Sequence, residues 1–207
     1  MNRPTILYAA FFLLAVLAVS TQTYGQGDTR QALEPSYDVS LQLIIGSNEA
    51  VKSADLGQGL AAVSRQLRTG FPFAGYRLAA TFMGRISNTG NYEYKSVANI
   101  FGQESEPKTS PTFLEWSVGN FRNGQSAKGE PGFQAQYLKF GARVPLTAGG
   151  IKDEMGKPIS TVNYESIGLS LGKVGFAENS PTLIGTLNLP GTEGTMFLVM
   201  TVRPAER

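Results

Sequence analysis

The chain has 207 residues, with 18 Lys and Arg set against 16 Asp and Glu, and it contains neither His nor Cys. Those two absences exclude serine–histidine and cysteine–histidine nucleophilic systems, imidazole and thiolate zinc sites, and histidine acid–base chemistry within this chain. The scattered charges and the net charge of +2 give no basic footprint for nucleic acid, and stability must come from an apolar core rather than from disulfides.

The N-terminus reads MNRPTILYAAFFLLAVLAVSTQTYGQG. Arg3 precedes an apolar run from Ile6 to Val19, and Thr23 and Gly25 are small residues spaced as at a cleavage site. A run this long fits an export signal and falls short of the roughly 20 residues that span a bilayer. Residues 1–25 are therefore expected to be a signal peptide, with a retained N-terminal anchor as the alternative. No Cys is available for a lipid anchor. Residues 26–36 read as a flexible leader.

Tyr37, Val39, Leu41, Leu43 and Ile45 alternate with Asp38, Ser40 and Gln42, which predicts a half-buried strand over 37–45. Ile44 breaks the alternation, so the end of that strand should be covered on both faces. A helix is expected over 58–69, where Leu60, Val63 and Leu67 share one face. Gly70 would cap it and Pro72 would prevent its continuation. Period two resumes over 76–86. Strand, helix and strand together read as a βαβ unit with parallel strands and a right-handed crossover.

Beyond it the pattern becomes antiparallel. A turn at 87–91 links the strand over 76–86 to one over 92–97. Residues 102–112 form a polar loop and the natural internal boundary. A strand over 113–121 holds Trp116, and a Gly-rich loop at 123–132 leads to a strand over 133–144. Residues 146–157 read as a turn region. The segment 159–174 is a long strand or a bent pair, with Gly168, Gly172 and Gly175 as candidate kinks. The last hairpin pairs 182–189 with 195–203. The fold class is α+β with β dominant: an α/β subdomain over 37–101 and an antiparallel β subdomain over 113–204, or the two joined as one domain.

Three motif matches fail on context. Gly168-Leu169-Ser170-Leu171-Gly172 fits G-x-S-x-G, but Ser170 sits in an alternating strand and no His exists to activate it. Gly57-Gln58-Gly59-Leu60-Ala61-Ala62 fits a dinucleotide loop, yet it stands far from the preceding strand and lacks the later acidic residue. Ser105-Glu106-Pro107-Lys108 fits S-x-x-K, where Pro107 forbids the helical turn that would join Ser to Lys. Asp153, Glu154 and Glu115 read as turn and surface carboxylates. The candidate binding residues are Trp116, Tyr92 and Tyr94, as an aromatic platform for a sugar or peptide. No cofactor and no metal site is expected.

Two stretches carry a resemblance. LAAVSRQLRTGFPFAGYRLAATFMGRI (60–86) resembles a segment of small exported proteins of Acidobacteria-type bacteria. SPTLIGTLNLPGTEGTMFLVMTVRP (180–204) resembles their closing hairpin, and also the strand pair that closes the secretin module of type II and III secretion systems. The resemblance covers about a third of the chain without its signal. A secretin has several periplasmic domains and a multistrand membrane segment, for which this chain has no room. The resemblance implies at most an accessory with small α/β pieces of the ring-building type.

The expectation is a non-enzymatic exported cell-envelope protein, periplasmic or associated with the outer membrane. It would act as a structural or interaction module, with other envelope proteins or itself as partner and no membrane span after signal cleavage. The alternative is a small-ligand or glycan-binding β module with an aromatic-lined cleft. A carboxylate or Ser/Lys hydrolase and a small outer-membrane barrel are further rivals.

Overall fold

The computed structural model describes residues 34–48, 56–98, 100, 110–125, 129–152, 158–190 and 194–205. The expected signal peptide, most of the leader, most of the 102–112 loop, and Asp153 and Glu154 lie outside the described residues, as does the S-x-x-K match.

Two antiparallel sheets pack face to face, and one helix covers the outer side of the first. Sheet A has the order β2-β1-β9-β8, where β1 is Ser36–Ser47, β2 is Gly75–Ser87, β8 is Thr182–Asn188 and β9 is Thr195–Pro204. Sheet B holds β3 (Asn91–Ala98), β4 (Thr112–Gly119), β5 (Arg122–Gln125), β6 (Pro131–Lys152) and β7 (Pro158–Ala177). In it β3 pairs β4, and β6 pairs β4 and β5 along one edge and β7 along the other. Residues from Pro35 onward form one compact unit.

The alternating residues of β1 and β9 explain the stacking. Val39, Leu41, Leu43 and Ile45 of β1 and Met196, Leu198, Met200 and Val202 of β9 face the core between the sheets. Opposite them lie Leu114, Trp116 and Val118 of β4, with Leu138, Phe140 and Ala142 of β6. Ile44 points the other way and joins Phe197 and Val199 beneath the helix. The end of β1 is thus covered on both faces.

The helix α1 (Ala61–Gly70) follows a 3-10 turn at Gln58–Leu60. Leu60, Val63 and Leu67 are buried against sheet A, the face their spacing predicts. Gly70 is the last helical residue and takes no left-handed conformation. The chain leaves through extended Phe71, whose N–H donates to the Leu67 carbonyl at 2.9 Å. Positive φ occurs instead at Gly57, before the 3-10 turn, where φ is 82° and glycine is the residue that tolerates it.

Four expectations need correction. First, β1 and β2 are antiparallel, with Ser47 opposite Gly75, so there is no βαβ crossover. The chain comes back at the end of the sheet it left, because Tyr76 ties the start of β2 to the helix: its hydroxyl lies 3.0 Å from the Leu67 carbonyl and 2.9 Å from that of Phe71. Second, the even-numbered residues of β2 do not share one face. A bulge at Ala79, opposite the Leu43–Ile44 step, sends Tyr76 to the helix side while Phe82 and Ile86 face the sandwich core. Third, the turn after Ser87 does not close a hairpin. β2 and β3 belong to different sheets, so this turn carries the chain from A to B. Fourth, pairing continues into the expected turn region 146–157: β6 runs on through Gly149 and Gly150 to Lys152, and its partner β7 is the long strand, one of the two readings of 159–174. The boundary read at 102–112 does not separate the sheets, since β8 and β9 complete sheet A beside β1 and β2.

Candidate functional site

Strands β3 and β4 sort their side chains by parity. Tyr92, Tyr94 and Trp116 point inward; Glu93, Lys95, Val97, Phe113, Glu115 and Ser117 point outward. The structure brings the three predicted aromatics together, with ring centroids 4.9 Å apart for Tyr92–Trp116 and 6.4 Å for Tyr94–Trp116. It packs them into the core with Phe82, whose ring lies 5.1 Å from that of Tyr94. Trp116 is only 2% exposed, so its face is not open for a sugar to stack on. Its indole N–H is buried with no hydrogen-bond partner among the described residues.

The open surface is the opposite face of the same strands. Register across β3, β4, β6 and β7 sets out three rungs. The first is Val97, Phe113, Arg143 and Ser166; the second is Lys95, Glu115, Gly141 and Gly168; the third is Glu93, Ser117, Lys139 and Ser170. Neighbouring strands lie about 4.8 Å apart, so each rung spans four strands in a nearly straight line.

Small residues hollow out the middle of this face. Gly141 and Gly168 sit directly opposite each other. A Cβ at Gly168 would fall 2.6 Å from the Phe140 carbonyl oxygen, so only glycine fits without moving β6. Two shallow hollows result and share Glu115 and Gly141. One, of about 490 Å³, includes Val97, Phe113 and Arg143; the other, of about 600 Å³, includes Ser117, Lys139 and Ser170.

The two hollows differ in chemistry. At the first, the Arg143 guanidinium carbon lies 4.6 Å from the centre of the Phe113 ring, and Tyr164 meets that ring edge-on at 5.5 Å. Val97 is 57% exposed beside them. This end offers an apolar surface with a cation held over it. The second holds Glu93, Glu115 and Lys139. Lys95, which lines the first, has its Nζ 3.0 Å from Glu93 Oε1, so both hollows carry charges of both signs. The hydrogen bond to Glu93, then the negative charges of Glu93 and Glu115, hold the Lys95 ammonium above its usual range.

Ser170, the centre of the G-x-S-x-G match, lies within β7 and opposite Lys139 in the ladder. It is on a flat strand, not on a strand-to-helix elbow. The match marks the glycine floor of the hollow. Among the described residues no group of three or more acidic side chains could hold a metal ion. Reading the aromatics alone missed Val97, Phe113, Lys139, Gly141, Arg143 and Ser166. The parity that places Tyr92, Tyr94 and Trp116 on one face already assigns their neighbours to the other.

No protein-family model matches the chain, and no curated protein matches it. Among solved structures it is similar to a chain of the Klebsiella pneumoniae type II secretion system outer membrane complex of PulD, PulS and PulC HR domain. The identity is 11% and the TM-score 0.30, over 84% of this chain and 39% of that one. The chain thus spans about two fifths of the length of the chain it matches. The resemblance to small exported proteins of Acidobacteria-type bacteria has no counterpart among these matches. No helix among the described residues is long and apolar enough to cross a membrane.

Proposed function

We propose that the protein is a non-enzymatic, exported cell-envelope module that binds a partner polypeptide on the outer face of sheet B, as an accessory to a secretion- or pilus-type assembly. The observation that carries this reading is the three-rung face with its glycine floor. An apolar side chain fits beside Val97 and Phe113, while the rungs holding Glu93, Lys95, Glu115 and Lys139 present both charge signs to whatever lies across them. Paired charges of opposite sign on a flat strand face discriminate between partners more than they add affinity. The apolar run of residues 6–19 supports export. The lack of His and Cys, with Ser170 on a flat strand, supports a binding role over a chemical one.

The test is site-specific photocrosslinking in the producing cells. A crosslinker placed at Lys139 should capture one protein of defined mass, and one at exposed Met83 on sheet A should not. Ser166→Trp, which fills the floor from an exposed position, should reduce that adduct about tenfold while the circular dichroism spectrum stays unchanged. Recovery of only uncrosslinked chain from Lys139 sinks the reading. In that event, binding of a small sugar or lipid to the purified chain would support the alternative of a ligand-binding β module.

A further inference from the structure

We propose that the free edge of β7 is a self-association seam, on which a second copy of this chain pairs antiparallel about a two-fold axis through Leu169. Among the described residues β7 has only β6 as a ladder partner, so its other edge presents unpaired backbone groups. Exposed edges of this kind are normally blunted by charges, proline or bulges. Between Glu165 and Lys173 the sequence SIGLSLG has none of the first two. These seven residues, about 23 Å of strand, are therefore open to pairing. The other edges differ: β2 has two like charges, Arg77 and Arg85, and a bulge at Ala79, β3 carries Glu93 and Lys95 within its 8 residues, and β8 is only 7 residues long.

The pattern is self-complementary in one register. With Leu169 on the axis, Ser166 lies opposite Gly172, and Gly168 opposite Ser170. These are small residues on the groove side, where they leave the floor clear. On the core side Ile167 lies opposite Leu171. Both are half-buried in a single copy, and pairing covers them. At the two ends Glu165 falls opposite Lys173 of the second copy, once at each end of the seam, and both residues are exposed. Opposite charges directly across an antiparallel pair are favourable, and like charges are not. Moving the axis by one residue puts Glu165 opposite Leu171, or Lys173 opposite Ile167, and loses both ion pairs. Lys173 has φ 53°, so the regular strand ends there, and the seam is the seven residues 166–172 with Glu165 and Lys173 at its ends. A closed two-fold contact of this kind uses the same patch on both copies and cannot propagate into a fibre.

This inference goes beyond the groove reading, because it is tested on the purified chain with no partner present. Sedimentation velocity of the full gene product, as the host processes it, should show a dimer at about 100 µM. Glu165→Lys and Lys173→Glu each place like charges at both ends of the seam, and each should weaken the dimer on the order of tenfold. The two variants mixed in equal amounts should associate again, because each mixed pair restores Glu opposite Lys twice. Both changes are at exposed positions, and circular dichroism confirms that the fold is kept. A monomeric wild type overturns the proposal. So does a dimer indifferent to both substitutions, or a mixture that fails to associate.

Discussion

Asp38 of β1 and Arg85 of β2 face each other across the ladder, with Arg85 Nε 2.7 Å from Asp38 Oδ1 and Nη2 3.2 Å from Oδ2. The hydrogen bond from Arg85 holds the Asp38 carboxyl below the usual carboxylate range; burial opposes it, and the charge of Arg85 adds a lesser lowering. A carboxyl lowered in the folded state adds stability above its unfolded pKa of about 3.9, and that stability is lost as pH falls through the lower folded value. Urea midpoints of the wild type should therefore exceed those of Asp38→Asn near pH 7 and converge with them at about pH 2. The gap should also narrow in about 1 M salt, because both side chains are exposed and screened. A gap that persists at acid pH would show that Asp38 acts through packing rather than charge. At this scale the sequence was informative where alternation is strict. Val39, Leu41 and Leu43 are buried as read, and Ile44, the one exception, is buried under the helix. Trp116 shares the parity of Leu114 and Val118 and is buried with them in the core.

Tyr76 decides how the helix is attached. Its ring packs within 6.0 Å of Phe197 and 6.2 Å of Phe73, and its hydroxyl donates to the last helical turn. Tyr76→Phe keeps the ring and removes the bond, at a cost of about 0.5–1.5 kcal/mol. The loss should be local. Amide exchange at Val63 and Leu67 should speed up severalfold while exchange at Leu198 and Met200 stays slow. Equal acceleration at all four positions would mean that the helix and sheets open together. This latch also explains why the βαβ reading failed. Hydrophobic period reveals a helix between two strands, but the direction of the second strand depends on where the chain is fastened after the helix. Here the aromatic residues Phe71, Phe73 and Tyr76 gather around Phe197, a residue of β9 that local pattern cannot bring near. The turn at 87–91 is legible in the sequence and the change of sheet it makes is not: turn residues specify a bend, not the partner beyond it.

At the scale of the molecule, β9 holds both cores. Met196, Leu198, Met200 and Val202 face sheet B, while Phe197 and Val199 face the helix, and all six are fully buried. The division into pieces over 37–101 and 113–204 leaves the first without this strand. A fragment of residues 35–101 should therefore lack a β-type circular dichroism spectrum and unfold without a cooperative transition, since the β1–β2 ribbon, one helix and a β3 that has lost its partner β4 bury too little surface. A sigmoidal urea transition for that fragment would restore the two-piece division. The outer face of sheet B, by contrast, was within reach of the sequence. The odd positions of 93–97 and 113–117 define two strands of it, and only their pairing with Arg143, Gly141 and Lys139 required the structure.

The position of β9 also governs when the chain can fold. β1 and β9 come from opposite ends of the described sequence, and their ladder is the centre of sheet A. A chain that emerges from the ribosome N-terminus first delivers β1 and β2 early, and must keep them as an open ribbon until Thr195–Pro204 arrive. Closing so long a loop is slow compared with local helix or hairpin formation. During that interval the edge of β1 that β9 will occupy is bare, along Val39, Leu41 and Leu43. A stalled or slowly released chain is then most adhesive at this edge, so a holdase should matter more to its yield than any catalyst of folding.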